Sequence, residues 1–377
     1  MNSGSVESAS RLQWVDVAKG LGILLMFHGH VVQTLAATGN ASALVEERLI
    51  YSFHMPMFFV IAGFFFRPSP SFWYRLQQLA WRRLAPVLFF GLLLIPLWLV
   101  GPIRHGLPLW HEVSPLLAGY MYGMPKLDWV TWFLVCLFIC EAMALACLPR
   151  IKSLAGRLLF GAACLLGGAA LCDHIAAWGA VAGLELHATF IHEAIVALGF
   201  YSIGYATFPY LVRLDKSRVA AAGVAILCGV VVLDTFQLNH PYANFAVMMA
   251  AKSHGNTLFF AGTALAGAIF ILVIGMLVSK LEWLAVIGRN TLPLLGLNGA
   301  FFHFFNPMLI TQFPPGDAPA AVALFAFAVT VISLLVCAPM VYLLNQYVPQ
   351  LIGKSQVSGP WLPSLERQLP AGVPTQE

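Results

Sequence analysis

Apolar residues along this chain come in long runs rather than in alternation. Ten runs read as membrane-spanning helices, at about 14–35, 51–66, 86–103, 129–149, 158–178, 188–208, 219–237, 257–279, 291–311 and 320–344. A helix needs about 20 mostly apolar residues to cross a bilayer core. The second run is short and contains Pro56. The polar connections between runs fall into two sets. One set holds Arg67, Arg75, Arg82 and Arg83, then Arg150, Lys152 and Arg157, then Arg213, Lys216 and Arg218, then Lys280 and Arg289; Arg11, Lys354 and Arg367 stand at the termini on that side. The alternate connections hold only Arg48, Arg104, Lys126 and Lys252. Lys and Arg collect on the cytoplasmic side of a membrane. The pattern therefore predicts an all-α polytopic bundle of ten spans with both termini in the cytoplasm. Residues 1–13 form a cytoplasmic N-terminal segment and 14–349 the transmembrane domain. Residues 350–377, rich in Pro and polar residues, read as a loose, disordered cytoplasmic tail.

Composition narrows the class. Residues of the set AVILMFWYC make up 60% of the 377-residue chain and charged residues only 10%. A soluble domain carries about 25% charged residues. A soluble enzyme, a disordered chain and a disulfide-rich scaffold are thereby excluded. The seven cysteines lie in apolar runs without metal-ligand spacing and read as small hydrophobic side chains; no metal is expected. Residues 1–13 lack the basic start and apolar run of a signal peptide, so the first run reads as an uncleaved span. The chain shows no internal repeat, which removes support for an inverted-repeat transporter.

Candidate chemistry lies inside the spans. A charge at the bilayer centre costs about 2.5–3.5 kcal/mol on insertion scales, so ionisable residues there usually face the bundle interior. Such residues are Asp16, Lys19, His28, His30, Glu141, Asp173, His192, Glu193, Asp234 and His303, with His54 near an end of the second run. They are densest in the first span. Eleven helical residues make nearly three turns, so Lys19 and His30 share a face about 16 Å apart along the axis. Asp16 lies one turn from Lys19 and can pair with it. His28 falls on the opposite face, which favours His30 as the functional histidine. A neutral imidazole can take the proton of a hydroxyl that attacks a thioester. Arg75, Arg82 and Arg83 belong to a basic cluster suited to the phosphates of a nucleotide-bearing donor.

Plainer readings stand beside these. Asp16 and Lys19 make a neutralising structural pair, Arg82 and Arg83 set topology, His30 is a hydrogen-bonded core residue, and His54 marks the start of a helix. His192-Glu193 is not a zinc motif, because Val196 stands where H-E-x-x-H needs its second histidine. Glu141, Asp173 and Asp234 read as acids hydrogen-bonded within the bundle. No G-x-S-x-G elbow, Walker loop or Rossmann fingerprint is present.

Four blocks carry a resemblance: Arg11, Asp16, Lys19, Gly20 and His30; Phe53-His54-Met55-Pro56 with Phe58, Phe59 and Gly63; Trp132-Phe133-Leu134; and Gly288-Arg289-Asn290-Thr291 with His303. Together they resemble the acyltransferase-3 family of integral membrane acyltransferases over nearly the whole chain, nearest its fucose 4-O-acetylase-like branch. The resemblance implies a multi-pass protein of the bacterial inner membrane that uses acetyl-coenzyme A as donor and a carbohydrate or cell-envelope hydroxyl as acceptor. It implies His30 as catalytic base, with Lys19 and Asp16 lining the donor track or holding the first helix. Arg75, Arg82 and Arg83 would contact coenzyme A, and His54, Trp132, Asn290 and His303 would serve the acceptor. The expected partners are that acceptor and membrane lipids, without nucleic acid; a homo-oligomer stays open. The competing class is a transporter or flippase that uses the same charges as a proton relay.

Overall fold

The computed structural model of the chain describes residues 12–182, 190–239 and 246–366; Arg11, Arg367 and the side chain of Asp173 lie outside the described residues. Its helices are α1 Gln13–Ala37, α2 Ala41–Tyr51, α3 His54–Phe64, α4 Phe72–His105, α5 Leu109–Met121, α6 Trp132–Cys147, α7 Leu154–Ala182, α8 Ile191–Leu214, α9 Arg218–Thr235, α10 Thr257–Leu277, α11 Glu282–Arg289, α12 Thr291–Ala300, α13 Asn306–Gln312 and α14 Pro319–Tyr347. A 3-10 turn over Lys126–Thr131 leads into α6, and a π turn over Phe301–Phe305 joins α12 to α13. No strand forms among the described residues. Short polar side chains start several helices by accepting their first free amides: Asn40 for α2, Ser71 for α4, Ser217 for α9 and Asn256 for α10.

Among the described residues, eight helical segments are long and apolar enough to cross a membrane, and the protein is an all-helical multi-pass bundle. Two of the ten expected spans do not form single long helices. Phe53 departs from helical geometry and separates α2 from α3. This leaves α3 with 11 residues, about 16 Å of rise, roughly half the hydrocarbon thickness. The ninth run is interrupted at the π turn. Phe53 and Phe301 at the two interruptions are buried in the bundle, and in a membrane irregular backbone is tolerated only when protein or a cavity surrounds it. The third run differs in the other direction. Helix α4 starts at Phe72, so Arg75, Arg82 and Arg83 stand on its first turns rather than in a loop.

Helix α1 is the central pillar and packs against α2, α3, α10, α11, α12, α13 and α14. Its contact with α11 depends on two glycines. A Cβ on Gly20 would lie 2.2 Å from the Leu284 carbonyl oxygen, and one on Gly288 would lie 1.7 Å from that of Asp16. Only hydrogen fits at either position, and the two backbones touch. Helix α7 over Leu154–Cys172 and helix α9, by contrast, leave most of their residues unburied on the outside of the bundle. None of the seven cysteines forms a disulfide.

The chain past residue 350, expected to be loose, is folded as far as Glu366. Gln350 and Ser355 are fully buried. Glu366 accepts from Arg82 Nε at 2.7 Å, from Gln78 Nε2 at 3.1 Å and from the Ser355 hydroxyl. A composition rich in Pro reads as disorder because it has few apolar side chains to bury. Here polar contacts to α4 replace them.

Candidate active site

His30 enters the bundle interior from the middle of α1 and meets Asn298 of α12. Its Nδ1 forms a short hydrogen bond to Asn298 Oδ1. An amide oxygen only accepts, so Nδ1 carries the proton and Nε2 keeps its lone pair. The ring also packs against Phe302 of the π turn at 4.9 Å between centroids. His28 points elsewhere, with its Nε2 2.6 Å from Glu46 Oε1 of α2.

Around His30 lies a small cavity of ≈ 50 Å³, lined among others by Gln33, Tyr51, His54, Trp129, Trp132 and Phe302. His54 opens α3, where its Nδ1 donates to the Ile50 carbonyl at 3.0 Å and its ring stacks on Tyr51 at 4.6 Å. One wall of the cavity is the segment Val247, Met248, Met249 and Ala250. This volume accommodates a water or two. An acceptor larger than that enters only with movement of the wall.

A second and larger cavity, ≈ 170 Å³, lies toward the start of α1. Lys19, Ile23, Phe58, Phe65, Arg83 and Leu295 are among its lining residues. Lys19 Nζ is 3.7 Å from Asp16 Oδ1 and 4.8 Å from the Phe65 ring centroid. Arg83 grips buried Glu141 of α6 with two bonds of 2.8 Å. This bidentate pair places a cation beside the cavity and satisfies the Glu141 carboxylate. Met55 lines both cavities. Met55 is thus a wall shared by the cavity at the lysine end of α1 and the cavity at its histidine end.

The other candidates are dispersed. Arg82 binds Glu366 and Gln356, and Arg75 donates to Gln78 at 2.9 Å; neither lines the Lys19 cavity. Asn290 lines a different recess, with Arg289, Asn345 and Lys354, and its Oδ1 accepts from Asn345 at 2.9 Å. His303 stands behind the His30 cavity. Its Nε2 accepts from the Trp129 amide at 3.1 Å and its ring packs on Trp98 at 5.3 Å, an arrangement that steadies one wall. Asp234 is exposed near the end of α9, and Glu193 is fully buried against His254 at 3.0 Å. Asn298 is the partner that reasoning from charge overlooked. A lone Asn in the apolar run TLPLLGLNGAFFHFF was a visible signal, but a search for ionisable groups passes over an amide.

The arrangement defines a class: a helical membrane protein with a histidine-bearing interior site next to a cationic pocket. A family model described as an acyltransferase domain matches residues 12–342. The chain belongs to this acyltransferase-3 family and is a membrane acyltransferase. No curated protein and no solved structure matches it.

Proposed function

We propose that this protein is an O-acyltransferase of a bacterial inner membrane that moves an acyl group, acetyl first among candidates, from acyl-coenzyme A to a hydroxyl of a carbohydrate or cell-envelope acceptor. One observation carries the reading. Met55 lines both the Lys19–Arg83 cavity and the His30 cavity, so the two are neighbours and an acyl donor held in the first would have its thioester within reach of the second. Basic residues on the flanking connections orient the Lys19 end toward the cytoplasm, where the coenzyme is.

In the proposed reaction, His30 Nε2 takes the proton of the acceptor hydroxyl as its oxygen attacks the thioester carbonyl. The tetrahedral intermediate collapses, the carbon–sulfur bond breaks, and the thiolate leaves with the proton returned by the imidazolium. Asn298 keeps the ring in the tautomer that presents Nε2. Lys19 and Arg83 face the anionic donor, and Asp16 steadies Lys19. The aromatic lining of Tyr51, Trp129, Trp132 and Phe302 suits the apolar faces of a sugar ring. The carbohydrate class itself comes from the resemblance to fucose 4-O-acetylases.

The test is acyl transfer by purified protein given acetyl-coenzyme A and cell-envelope glycan, followed by mass spectrometry of the ester. His30→Ala is expected to lower turnover by about 10²–10⁴-fold, while His28→Ala stays near wild type. Near-normal transfer by His30→Ala together with an inactive His28→Ala would overturn the assignment.

A further inference from the structure

We propose that Cys172, Glu193 and His254 form a site for a divalent cation of the zinc type, which pins the wall of the His30 cavity. The three residues come from the second half of α7, the start of α8 and the segment between α9 and α10, and no spacing in the sequence connects them. All three are buried, and their sulfur, oxygen and nitrogen ligand atoms lie within 4.8 Å of one another. His254 Nε2 is 3.0 Å from Glu193 Oε2, and Cys172 Sγ is 4.0 Å from the same oxygen. Donors bound to one tetrahedral zinc at 2.0–2.3 Å are separated by about 3.3–3.8 Å, so the observed spacings bracket that arrangement. A thiol, an imidazole and a carboxylate form a donor set that zinc accepts. Binding would release the thiol proton. Thiolate and carboxylate would then balance the dication inside an apolar bundle.

The surrounding backbone shows what such an ion would hold. His254 closes a turn in which Met248 and Ser253 exchange backbone hydrogen bonds of 2.9 and 3.1 Å. Lys252 sits in this turn at φ 58°, a left-handed conformation uncommon for a side chain other than glycine. Asn239 Nδ2 donates to the His254 carbonyl at 2.8 Å and secures the turn from one side. A cation on His254 would secure it from the other, tying it to α7 and α8. The same turn supplies Met248, Met249 and Ala250 to the His30 cavity. Phe190, just before α8, packs on Trp132 of that cavity at 5.6 Å. Lys252 Nζ lies 5.9 Å from the Phe190 ring centroid, and its charge reaches the Glu193 carboxylate. It is the competing source of positive charge.

The test uses the full chain purified in detergent without chelator, loaded with zinc alone, desalted, and assayed for metal by mass spectrometry. About one zinc per chain is expected. Cys172→Ser and His254→Gln should each reduce retention at least tenfold while the protein stays monodisperse. Loading with cobalt instead should give a thiolate charge-transfer band that Cys172→Ser lacks. Wild-type protein that retains no zinc after loading overturns the proposal and assigns the balancing charge to Lys252. So does retention unchanged in both variants. These readouts do not depend on the acyltransfer reading. A consequence that does rest on it is a rise in acceptor KM on zinc removal, with donor KM unchanged.

Discussion

His30 and Asn298 meet across the bundle although 268 positions separate them in the chain. The amide oxygen fixes which imidazole nitrogen holds the proton, and no neighbour in sequence could do this from the opposite side. Asn298→Leu should therefore lower kcat by about 10–100-fold, by analogy with the loss when a metal-bound histidine is deprived of its orienting partner. KM for either substrate should change much less. Steady-state kinetics separates the two; an unchanged kcat would show that the ring needs no such partner.

Met55 lines both cavities, and in the proposed reaction it stands between donor and acceptor. Met55→Trp should block passage of the acyl chain and depress transfer while leaving coenzyme A binding intact. Met55→Ala should preserve transfer and admit longer acyl groups. Binding calorimetry alongside turnover with acetyl and butyryl donors checks this. Equal losses of binding and transfer in the Trp variant would contradict a dividing role.

Arg83 and Glu141 form a pair whose side chains are 26% and 8% exposed. Glu141→Gln leaves the guanidinium uncompensated. The expected cost lies between about 1 and 4 kcal/mol, below the fully buried case because water still reaches the arginine. Thermal unfolding in detergent measures it. A double variant with Arg83→Met should recover part of the loss in stability while weakening donor binding.

Gly288→Ala places a methyl group against the Asp16 carbonyl. Helices α1 and α11 must then separate, at an expected cost of about 1–3 kcal/mol. Because α1 also carries Lys19 and His30, activity should fall with stability. A melting temperature equal to wild type would mean that the close contact does not form.

The tail contact should respond to acid. Burial alone raises the Glu366 carboxyl, but hydrogen bonds from Arg82 and Ser355 outweigh it and hold the group below the ordinary carboxylate value. A depressed value means the docked tail is favoured above the ordinary carboxylate range, and that the advantage is lost as pH falls through the lowered value. Protease nicking between residues 353 and 366 should therefore increase only in acid. Glu366→Gln should show the increase at neutral pH. Cleavage independent of both would sink this contact.

Some of this was legible in the chain itself. Ten apolar runs and a 10% share of charge left only a helical membrane protein, because lipid offers backbone polar groups no partner outside a helix or closed barrel. The eleven-residue step from Lys19 to His30 selected a face of α1 by helix geometry alone. In the folded chain His30 lies beside Asn298 and a cavity, and His28 lies against Glu46. Local order was harder. The apolar runs at 51–66 and 86–103 became the 11-residue α3 and the 34-residue α4, because hydropathy does not register a single non-helical residue such as Phe53.

Pairings between distant segments needed the folded chain. Arg82 and Arg83 are adjacent in sequence, yet one binds the tail and the other α6. Asn290, expected near the acceptor, is held by Asn345 in a separate recess. Sequence settles what each segment can bury and which face of its own helix a residue occupies, since both follow from local geometry. Which side chain stands opposite depends on how helices cross. That is decided where backbones come close enough to touch, as at Gly20 and Gly288, and by the matching of buried polar groups across the bundle.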